Sequence, residues 1–362
     1  MSEVIAELRG SVGCLTLNRP RALNALSLGM VRELAAALLA WRDDPAVHAV
    51  AFRGMGREQP FGAFCAGGDI RFFHQAALAG DPQLEDFFTE EYALDHLVHR
   101  YPKPTVVFAD GIVMGGGMGI AQGCRLRIAT ARTKMAMPET NIGLFPDVAG
   151  GYFLSRCPGR VGEYLALTGT VVGGAEAAAV GLADAVVAPD RLTALWDALA
   201  DFEGFGRPGW QAALLAAPAD GGGGAGAWPD RARIDAAFGA PTLAGILAAV
   251  QRDDSDWGRA TAAALRQRSP LMLHVTLEQV RRARSMALAD ELRMERGMVR
   301  RCFSLRPGAA SETAEGIRAL AIDKDHSPRW NPGRIEDVEP AQVQAFFASP
   351  WPAHAHPLRM LD

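Results

Sequence analysis

Three short stretches in the first half of the chain combine small residues, apolar residues and acids in a way that could support acyl chemistry. They are residues 64–70 (FCAGGDI), 114–119 (MGGGMG) and 137–147 (MPETNIGLFPD). Glycine-rich backbone can turn several N–H groups towards one point, and preorganised N–H donors stabilise a carbonyl oxygen that becomes negative during a reaction. The third stretch adds two acids, Glu139 and Asp147, in a largely apolar setting. This combination predicts a reaction at a carbonyl group that passes through an oxyanion.

The glycine-rich stretches admit a second interpretation. Gly115, Gly116 and Gly117 lie between an expected strand and an expected helix, where they could simply form a tight turn in a crowded interior. Alternatively, the missing side chains allow a ligand carbonyl to approach the backbone, and a helix that starts near Gly117 adds positive potential at its N-terminus. Residues 66–68 admit the same two interpretations. Two such stretches in one chain favour ligand binding.

The two acids also have a structural and a chemical interpretation. Glu139 follows Pro138 and could cap a turn, or it could be a half-buried base, because burial disfavours the charged form of a carboxylate. Asp147 could be the N-cap of the helix that follows it, could face a ligand, or could do both.

The elements that must position these residues alternate between strand and helix. An apolar strand is expected before each glycine-rich stretch, at 46–52 and at 105–108, which predicts a layered α/β core with crossover connections. Past about residue 191 the pattern is mostly helical. We predict a catalytic core over 1–217, a glycine-rich linker over 218–230, a helical C-terminal region over 231–350 and a flexible tail over 351–362.

Composition excludes several classes of protein. The 362 residues carry a formal net charge of −4, which argues against a general nucleic-acid binder. The five cysteines are widely spaced and form no Cys-x-x-Cys pair, so neither a disulfide framework nor a metal site is expected. The chain shows no leader pattern at its start and no apolar run long enough to cross a membrane. We therefore expect a cytoplasmic protein with no membrane or nucleic-acid partner.

Further stretches extend the pattern of the first three. They are LNRP at 17–20, ALNAL at 22–26, EEY at 90–92, IDKD at 322–325 and SP at 327–328 followed by Trp330. Together with FCAGGDI, MGGG and MPETNIGLFPDV, they make the chain resemble the crotonase (enoyl-CoA hydratase/isomerase) superfamily. Within it, the chain resembles the 3-hydroxyisobutyryl-CoA hydrolase branch.

The resemblance implies a fold and a set of roles. The fold would be a crotonase-like spiral of ββα units with a helical C-terminal region. A thioester oxygen would lie between the N–H groups of Ala66 and Gly116, and Glu139 and Asp147 would take the catalytic positions. The residues implied to contact the substrate are Glu91, Gly115, Gly116, Glu139 and Asp147, and those implied to bind coenzyme A are Ala66, Gly67, Gly68, Asp69 and Ile70. No cofactor is implied beyond the coenzyme A of the substrate.

One difference within the superfamily favours hydrolysis over hydration. Hydratases generally carry a second glutamate shortly after the glycine triplet, where this chain has Gly119. We therefore predict hydrolysis of a short β-hydroxyacyl-CoA thioester, most specifically 3-hydroxyisobutyryl-CoA of valine breakdown. Glu139 would either attack the carbonyl or activate water. An enoyl-CoA hydratase or isomerase, and a non-catalytic acyl-CoA binder or scaffold, are the alternatives, and a homo-oligomer is compatible with each.

Overall fold

The computed structural model describes residues 2–216, Trp228 and 231–362, and its secondary structure is mixed. The strands in these ranges are β1 (Val4–Arg9), β2 (Val12–Leu17), β3 (Ala49–Gly54), β4 (Thr105–Ala109), β5 (Ile112–Met114), β6 (Leu126–Thr130), β7 (Lys134–Ala136), β8 (Val172–Gly173) and β9 (Ala185–Val187). The helices are α1 (Leu28–Arg42), α2 (Ile70–Ala79), α3 (Gln83–His99), α4 (Gly116–Gly123), α5 (Gly150–Leu154), α6 (Val161–Thr168), α7 (Gly174–Ala179), α8 (Arg191–Ala198), α9 (Trp210–Ala216), α10 (Arg231–Phe238), α11 (Leu243–Arg252), α12 (Asp256–Gln267), α13 (Pro270–Ala283), α14 (Leu288–Ser304), α15 (Glu312–Ile317) and α16 (Pro340–Phe347).

The larger sheet has the strand order β1-β2-β3-β4-β6-β9. Its first two strands form an antiparallel hairpin, and the remaining neighbours are parallel, with pairs such as Val50 with Thr105 and Ile128 with Ala185. Every residue of β4 is buried, as expected for a parallel strand that is covered on both faces. A smaller sheet has the order β5-β7-β8.

The described residues divide into two compact units that are interleaved along the chain. The first comprises the described residues of Met1–Gly68, Ala93–Met135 and Val172–Trp228, and the second comprises those of Asp69–Tyr92, Ala136–Val171 and Pro229–Asp362. Both sheets belong to the first unit, apart from the last residue of β7. Its core contains apolar residues of the larger sheet packed with Trp196, whose ring lies 5.3 Å from that of Phe108.

The second unit is built from helices. Helix α13 packs on α5 and α6, α15 packs on α2, and α14 packs on α16. Ser269 caps α13 by accepting a hydrogen bond from the Met272 N–H (3.2 Å), with Pro270 in the first turn. These are the residue types that favour a helix start.

The C-terminal residues pack onto α14, which differs from the prediction of a flexible tail over 351–362. The Trp351 ring lies 5.0 Å from the guanidinium groups of Arg296 and Arg300, and the Arg293 Nε donates to Leu358 O (3.1 Å). Proline and histidine suggested fraying, but Trp351 and Leu358 provide apolar surface that the helix covers. The predicted linker over 218–230 lies, apart from Trp228, outside the described residues, and the predicted division at 217 stays a prediction.

Two properties of the described residues bear on the class of protein. No helix among them is both long enough and apolar enough to cross a membrane. All five cysteines are buried as thiols: Cys14, Cys65, Cys124, Cys157 and Cys302.

Candidate active site

The two glycine-rich stretches lie against each other within the first unit. The Cys65 N–H donates to Ile112 O (2.9 Å), and the Met114 N–H donates to Cys65 O (2.9 Å). A Cβ atom at Gly117 would lie only 2.5 Å from Cys65 O, so a side chain there would push the stretches apart. A Cβ at Gly67, whose φ is +101°, would lie 3.5 Å from the Gly116 nitrogen. These glycines therefore permit a close approach of two backbone segments.

The backbone amides of these stretches are not equally available. Gly116 begins α4, so its N–H has no acceptor within the helix. The Ala66 N–H, in contrast, donates to Leu23 O at 3.0 Å. This bond conflicts with the predicted role of Ala66 as an oxyanion donor, because its hydrogen already has an acceptor. Two residues later, no acceptor is found for the Gly68 N–H in the part of the chain that the structure describes. Gly68 is therefore the better donor beside Gly116.

Glu139 opens a 3-10 turn in the second unit and is buried. The turn, Glu139–Ile142, is closed by Gly143 with φ +67°, and the Leu144 N–H donates to Glu139 O (3.0 Å). Among the described residues, no hydrogen-bond partner is found for Glu139 Oε2. Burial first, and then the negative charge of Asp147, raise the pKa of Glu139 well above its ordinary value. Such a carboxyl group is a stronger base once ionised than an exposed one.

Asp147 is buried in the same unit, and its side chain does not cap a helix. Helix α5 begins after Ala149, whose side chain makes no capping bond, so the N-cap interpretation of Asp147 is wrong. The carboxylate instead accepts a hydrogen bond from the Tyr92 hydroxyl at its Oδ2 (2.8 Å). Burial raises the pKa of Asp147 to about 6, and the Tyr92 hydrogen bond opposes that rise.

Three further polar side chains lie behind Asp147, and none of them was predicted from the sequence. Gln279 on α13 donates from Nε2 to Pro146 O (2.7 Å) and to Glu295 Oε1 (2.8 Å). Glu291 and Glu295 on α14 are fully buried, and burial raises the pKa of Glu291 to about 7 and that of Glu295 well above its ordinary value. Glu291 and Glu295 are four residues apart, which places both on the buried face of α14. That spacing was the sequence signal from which their burial could have been predicted.

The remaining predicted site residues have positions but no tested roles. Glu91 is buried on α3 beside Tyr92. Asp69 caps α2, where it accepts from the Phe72 N–H (3.4 Å), and Ile70 is the first residue of that helix. Within the described ranges, no group of three or more potential metal ligands is found.

The chain is similar to known proteins along nearly its whole length. A family model described as enoyl-CoA hydratase/isomerase matches residues 12–347. A protein of Arabidopsis thaliana named probable 3-hydroxyisobutyryl-CoA hydrolase 3 is 40% identical over 360 residues, covering 96% of this chain and 91% of that one. The mitochondrial 3-hydroxyisobutyryl-CoA hydrolase of Xenopus tropicalis is 37% identical over 363 residues, covering 96% and 89%. The solved structure of a carnitinyl-CoA dehydratase from Mycobacterium thermoresistibile is 37% identical, with a TM-score of 0.86 over 97% of this chain and 98% of that one.

The chain therefore belongs to the enoyl-CoA hydratase/isomerase family. The predicted resemblance to the crotonase superfamily and its 3-hydroxyisobutyryl-CoA hydrolase branch is confirmed, and so is the predicted crotonase-like α/β fold with a helical C-terminal region. The predicted cytoplasmic location stays a prediction, since the Xenopus relative is named as mitochondrial.

Proposed function

We propose that this chain hydrolyses 3-hydroxyisobutyryl-CoA, or a close short β-hydroxyacyl-CoA thioester, to the free acid and coenzyme A. The single observation that carries the proposal is a pair of buried acids, Glu139 and Asp147, in the second structural unit. The pKa values of both acids are raised. The curated relatives cited above are named for this activity, and the chain is accordingly an enzyme of the acyl-CoA thioester hydrolase type. The reaction would contribute to valine breakdown.

In the proposed mechanism, backbone amides stabilise the thioester oxygen as it becomes negative. We assign the N–H groups of Gly116 and Gly68 to this role, the latter in place of Ala66, because the Ala66 N–H donates to Leu23 O. Loss of one such donor typically costs about 3–4 kcal/mol of transition-state stabilisation. Amide donors suffice for this charge, so the mechanism needs no metal or redox cofactor.

The carboxylates carry the bond-making steps. Ionised Glu139 either attacks the carbonyl carbon to give an anhydride, which water then opens, or removes a proton from water as it attacks. In both routes the C–S bond breaks, coenzyme A leaves as the thiol, and the net addition of one water molecule balances the reaction. Asp147, held by Tyr92, binds the β-hydroxyl group of the substrate. A single turnover in ¹⁸O-water tests for the anhydride, because water that opens it at the Glu139 carbonyl leaves its oxygen in Glu139. Water that Glu139 activates as a base leaves its oxygen in the product acid.

Hydration is the second candidate. The solved relative that is named a carnitinyl-CoA dehydratase, at 37% identity, favours it. Addition of water across a double bond uses two acids that flank the bond, and Gly119 occupies the position where hydratases generally place one of them. The direct assay is the hydration of crotonyl-CoA, which is monitored by the loss of its enoyl absorbance.

The test is a panel of short branched and hydroxylated acyl-CoAs, assayed by thiol release. We expect 3-hydroxyisobutyryl-CoA to be hydrolysed fastest, and Glu139→Gln to lower kcat by at least about a hundredfold, in the range of catalytic acids and bases. Glu291→Gln is the matched control, because Glu291 is also a buried acid with a raised pKa but has no assigned role. Near-normal hydrolysis by Glu139→Gln would refute the mechanism. Rapid hydration of crotonyl-CoA without hydrolysis would favour the second candidate, and neither activity would favour an acyl-CoA binder.

A further inference from the structure

The turn that carries Asp147 has a backbone conformation that side chains disfavour. The two residues that follow, Val148 and Ala149, have φ values of +55° and +66°. Left-handed backbone at a residue other than glycine costs on the order of 1–3 kcal/mol, and it persists only where the surrounding structure holds it. For the β-branched Val148 this conformation is especially unusual. Something must therefore hold this turn in place.

The carboxylate of Glu295 bonds to this turn with both of its oxygens. Its Oε2 accepts from the Ala149 N–H (2.8 Å), and its Oε1 accepts from the Gly151 N–H (3.1 Å). Gln279 links the same carboxylate to the other side of the turn, because its Nε2 also donates to Pro146 O (2.7 Å). Hydrogen bonds thus hold the backbone on both sides of Asp147.

The surroundings of the turn leave it little room to move. Gln279, Glu291 and Glu295 are fully buried. A Cβ atom at Gly151 would lie 2.4 Å from Glu291 Oε1, so the chain passes close to α14 at this point. Three N–H donors, from Ala149, Gly151 and Gln279, point at the two oxygens of Glu295 and favour its ionised form against the burial that raises its pKa. Bonds to an ionised carboxylate are charge-assisted and stronger than neutral ones.

We propose that Glu295 is a positioning residue, which aims the Asp147 carboxylate by holding the strained turn at Val148 and Ala149. It acts through Asp147 and does not touch the substrate. The inference rests on the proposed role of Asp147 in hydrolysis.

The carboxylate is specifically required because two backbone donors need two acceptors. In Glu295→Gln the side chain keeps its length, but its amide offers one acceptor and one NH₂ group. That NH₂ group would face a backbone N–H, either that of Ala149 or that of Gly151, which then loses its partner. Glu291→Gln is the matched control: it removes the neighbouring buried charge, which raises the pKa of Glu295, and so leaves Glu295 ionised and bonded to the turn.

The kinetic test uses the full-length chain and 3-hydroxyisobutyryl-CoA. We expect Glu295→Gln to lower kcat about tenfold or more with KM changed less than about twofold, as for an interaction that serves only the transition state. Glu291→Gln should stay within about twofold of wild type. In an Asp147→Asn background, Glu295→Gln should have almost no further effect, because residues that act as a unit are not additive. An equal loss of kcat with and without Asp147 would overturn the inference.

A second readout does not depend on turnover. Amide hydrogen exchange of the peptide over 146–152 should be at least about tenfold faster in Glu295→Gln, because local opening becomes easier, and no faster than wild type in Glu291→Gln. If wild type hydrolyses no thioester, the proposed function fails, and the exchange result still decides whether Glu295 holds the turn. Unchanged exchange together with unchanged kcat would refute positioning.

A second variant covers the case in which Glu295→Gln does not fold. Gln279→Met removes the link to Pro146 and should give a smaller loss of kcat in the same direction. No loss of kcat in this variant would count against the inference.

Discussion

Buried carboxyl groups are the most unusual residues of the second unit. Glu139, Asp147, Glu291 and Glu295 are all buried, and the pKa of each is raised chiefly by the loss of water. Groups with such values concentrate at functional sites. Ionisation of any one of these acids is therefore sensitive to the charge of its neighbours.

That sensitivity gives a prediction for Asp147→Asn. The negative charge of Asp147 helps to raise the pKa of Glu139, so its removal should lower that pKa. Because Glu139 must be ionised to act, the acid limb of the profile of kcat/KM against pH should move to lower pH, by about one unit for a close pair of like charges. Glu291→Gln should leave the limb in place. An unshifted limb in Asp147→Asn would show that the two acids titrate independently.

At the residue scale, the sequence identified the acids but not their partners. Glu139 and Asp147 were predicted from local context, as acids in apolar surroundings. Gln279 and Glu295 were not, because they lie more than a hundred residues along the chain and nothing local pairs them with Asp147. The bond from the Ala66 N–H to Leu23 O is likewise a tertiary contact that spacing does not reveal.

At the scale of elements, predictions succeeded where a local signal was strong. Ser27 caps α1 through the Met30 N–H (3.2 Å), and Ser311 caps α15 through the Ala314 N–H (3.3 Å). A serine immediately before a helical stretch is a local sequence signal for a helix start. The smaller sheet was missed, because strands of two or three residues are too short to show alternation.

Helix α15 supports the turn that carries Glu139. The Thr313 hydroxyl donates to Gly143 O (2.7 Å), and a Cβ atom at Gly316 would lie 2.3 Å from the carbonyl carbon of Ile142. The helix therefore contacts the turn without an intervening side chain at this point.

We expect Thr313→Val to destabilise the chain. It removes the hydrogen bond to Gly143 O and leaves a buried carbonyl without that donor, which typically costs about 1–3 kcal/mol. Urea denaturation measures the change in the free energy of unfolding. Thr276→Val is the control: Thr276 is fully buried on α13, and no partner is found for its hydroxyl among the described residues, so the same exchange should be neutral or stabilising. Equal effects at both positions would contradict this role for Thr313.

At the scale of the whole molecule, the sequence predicted the fold family but not the grouping of its segments. The resemblance in short motifs was enough for the crotonase-like fold, which the comparisons confirm. Residues 136–171 lie within the predicted core over 1–217, but in the structure they cluster with the helices after 229. Only contacts between distant segments reveal that grouping.

The buried acids should give the whole chain an unusual dependence of stability on pH. The folded chain raises the pKa of Glu291 from 4.5 to about 7, so folding favours its protonated form. Its contribution is therefore intact below pH 4.5 and is lost as the pH rises to about 7, by on the order of 3 kcal/mol. Glu291→Gln should be more stable than wild type at pH 8, and this gain should vanish near pH 4.

The control for this prediction is a buried acid that has cationic partners. Glu163 forms ion pairs with Arg160 (2.9 Å) and Arg284 (2.8 Å), so Glu163→Gln should destabilise the chain at pH 8. Urea denaturation of both variants at the two pH values measures the free energies of unfolding. A loss of stability in Glu291→Gln at pH 8 would contradict the argument.

The burial of every cysteine has a practical consequence for studying this enzyme. Thiolates, and not thiols, attack disulfide reagents, and burial raises the pKa of Cys14 to about 12 and also raises those of Cys124 and Cys302. A chromogenic disulfide in the cuvette should therefore leave the native polypeptide untouched and report coenzyme A as it is released, with little background colour. In denaturant the same reagent should react with five thiols per chain. One reagent therefore measures both the rate of turnover and the fraction of molecules that are folded.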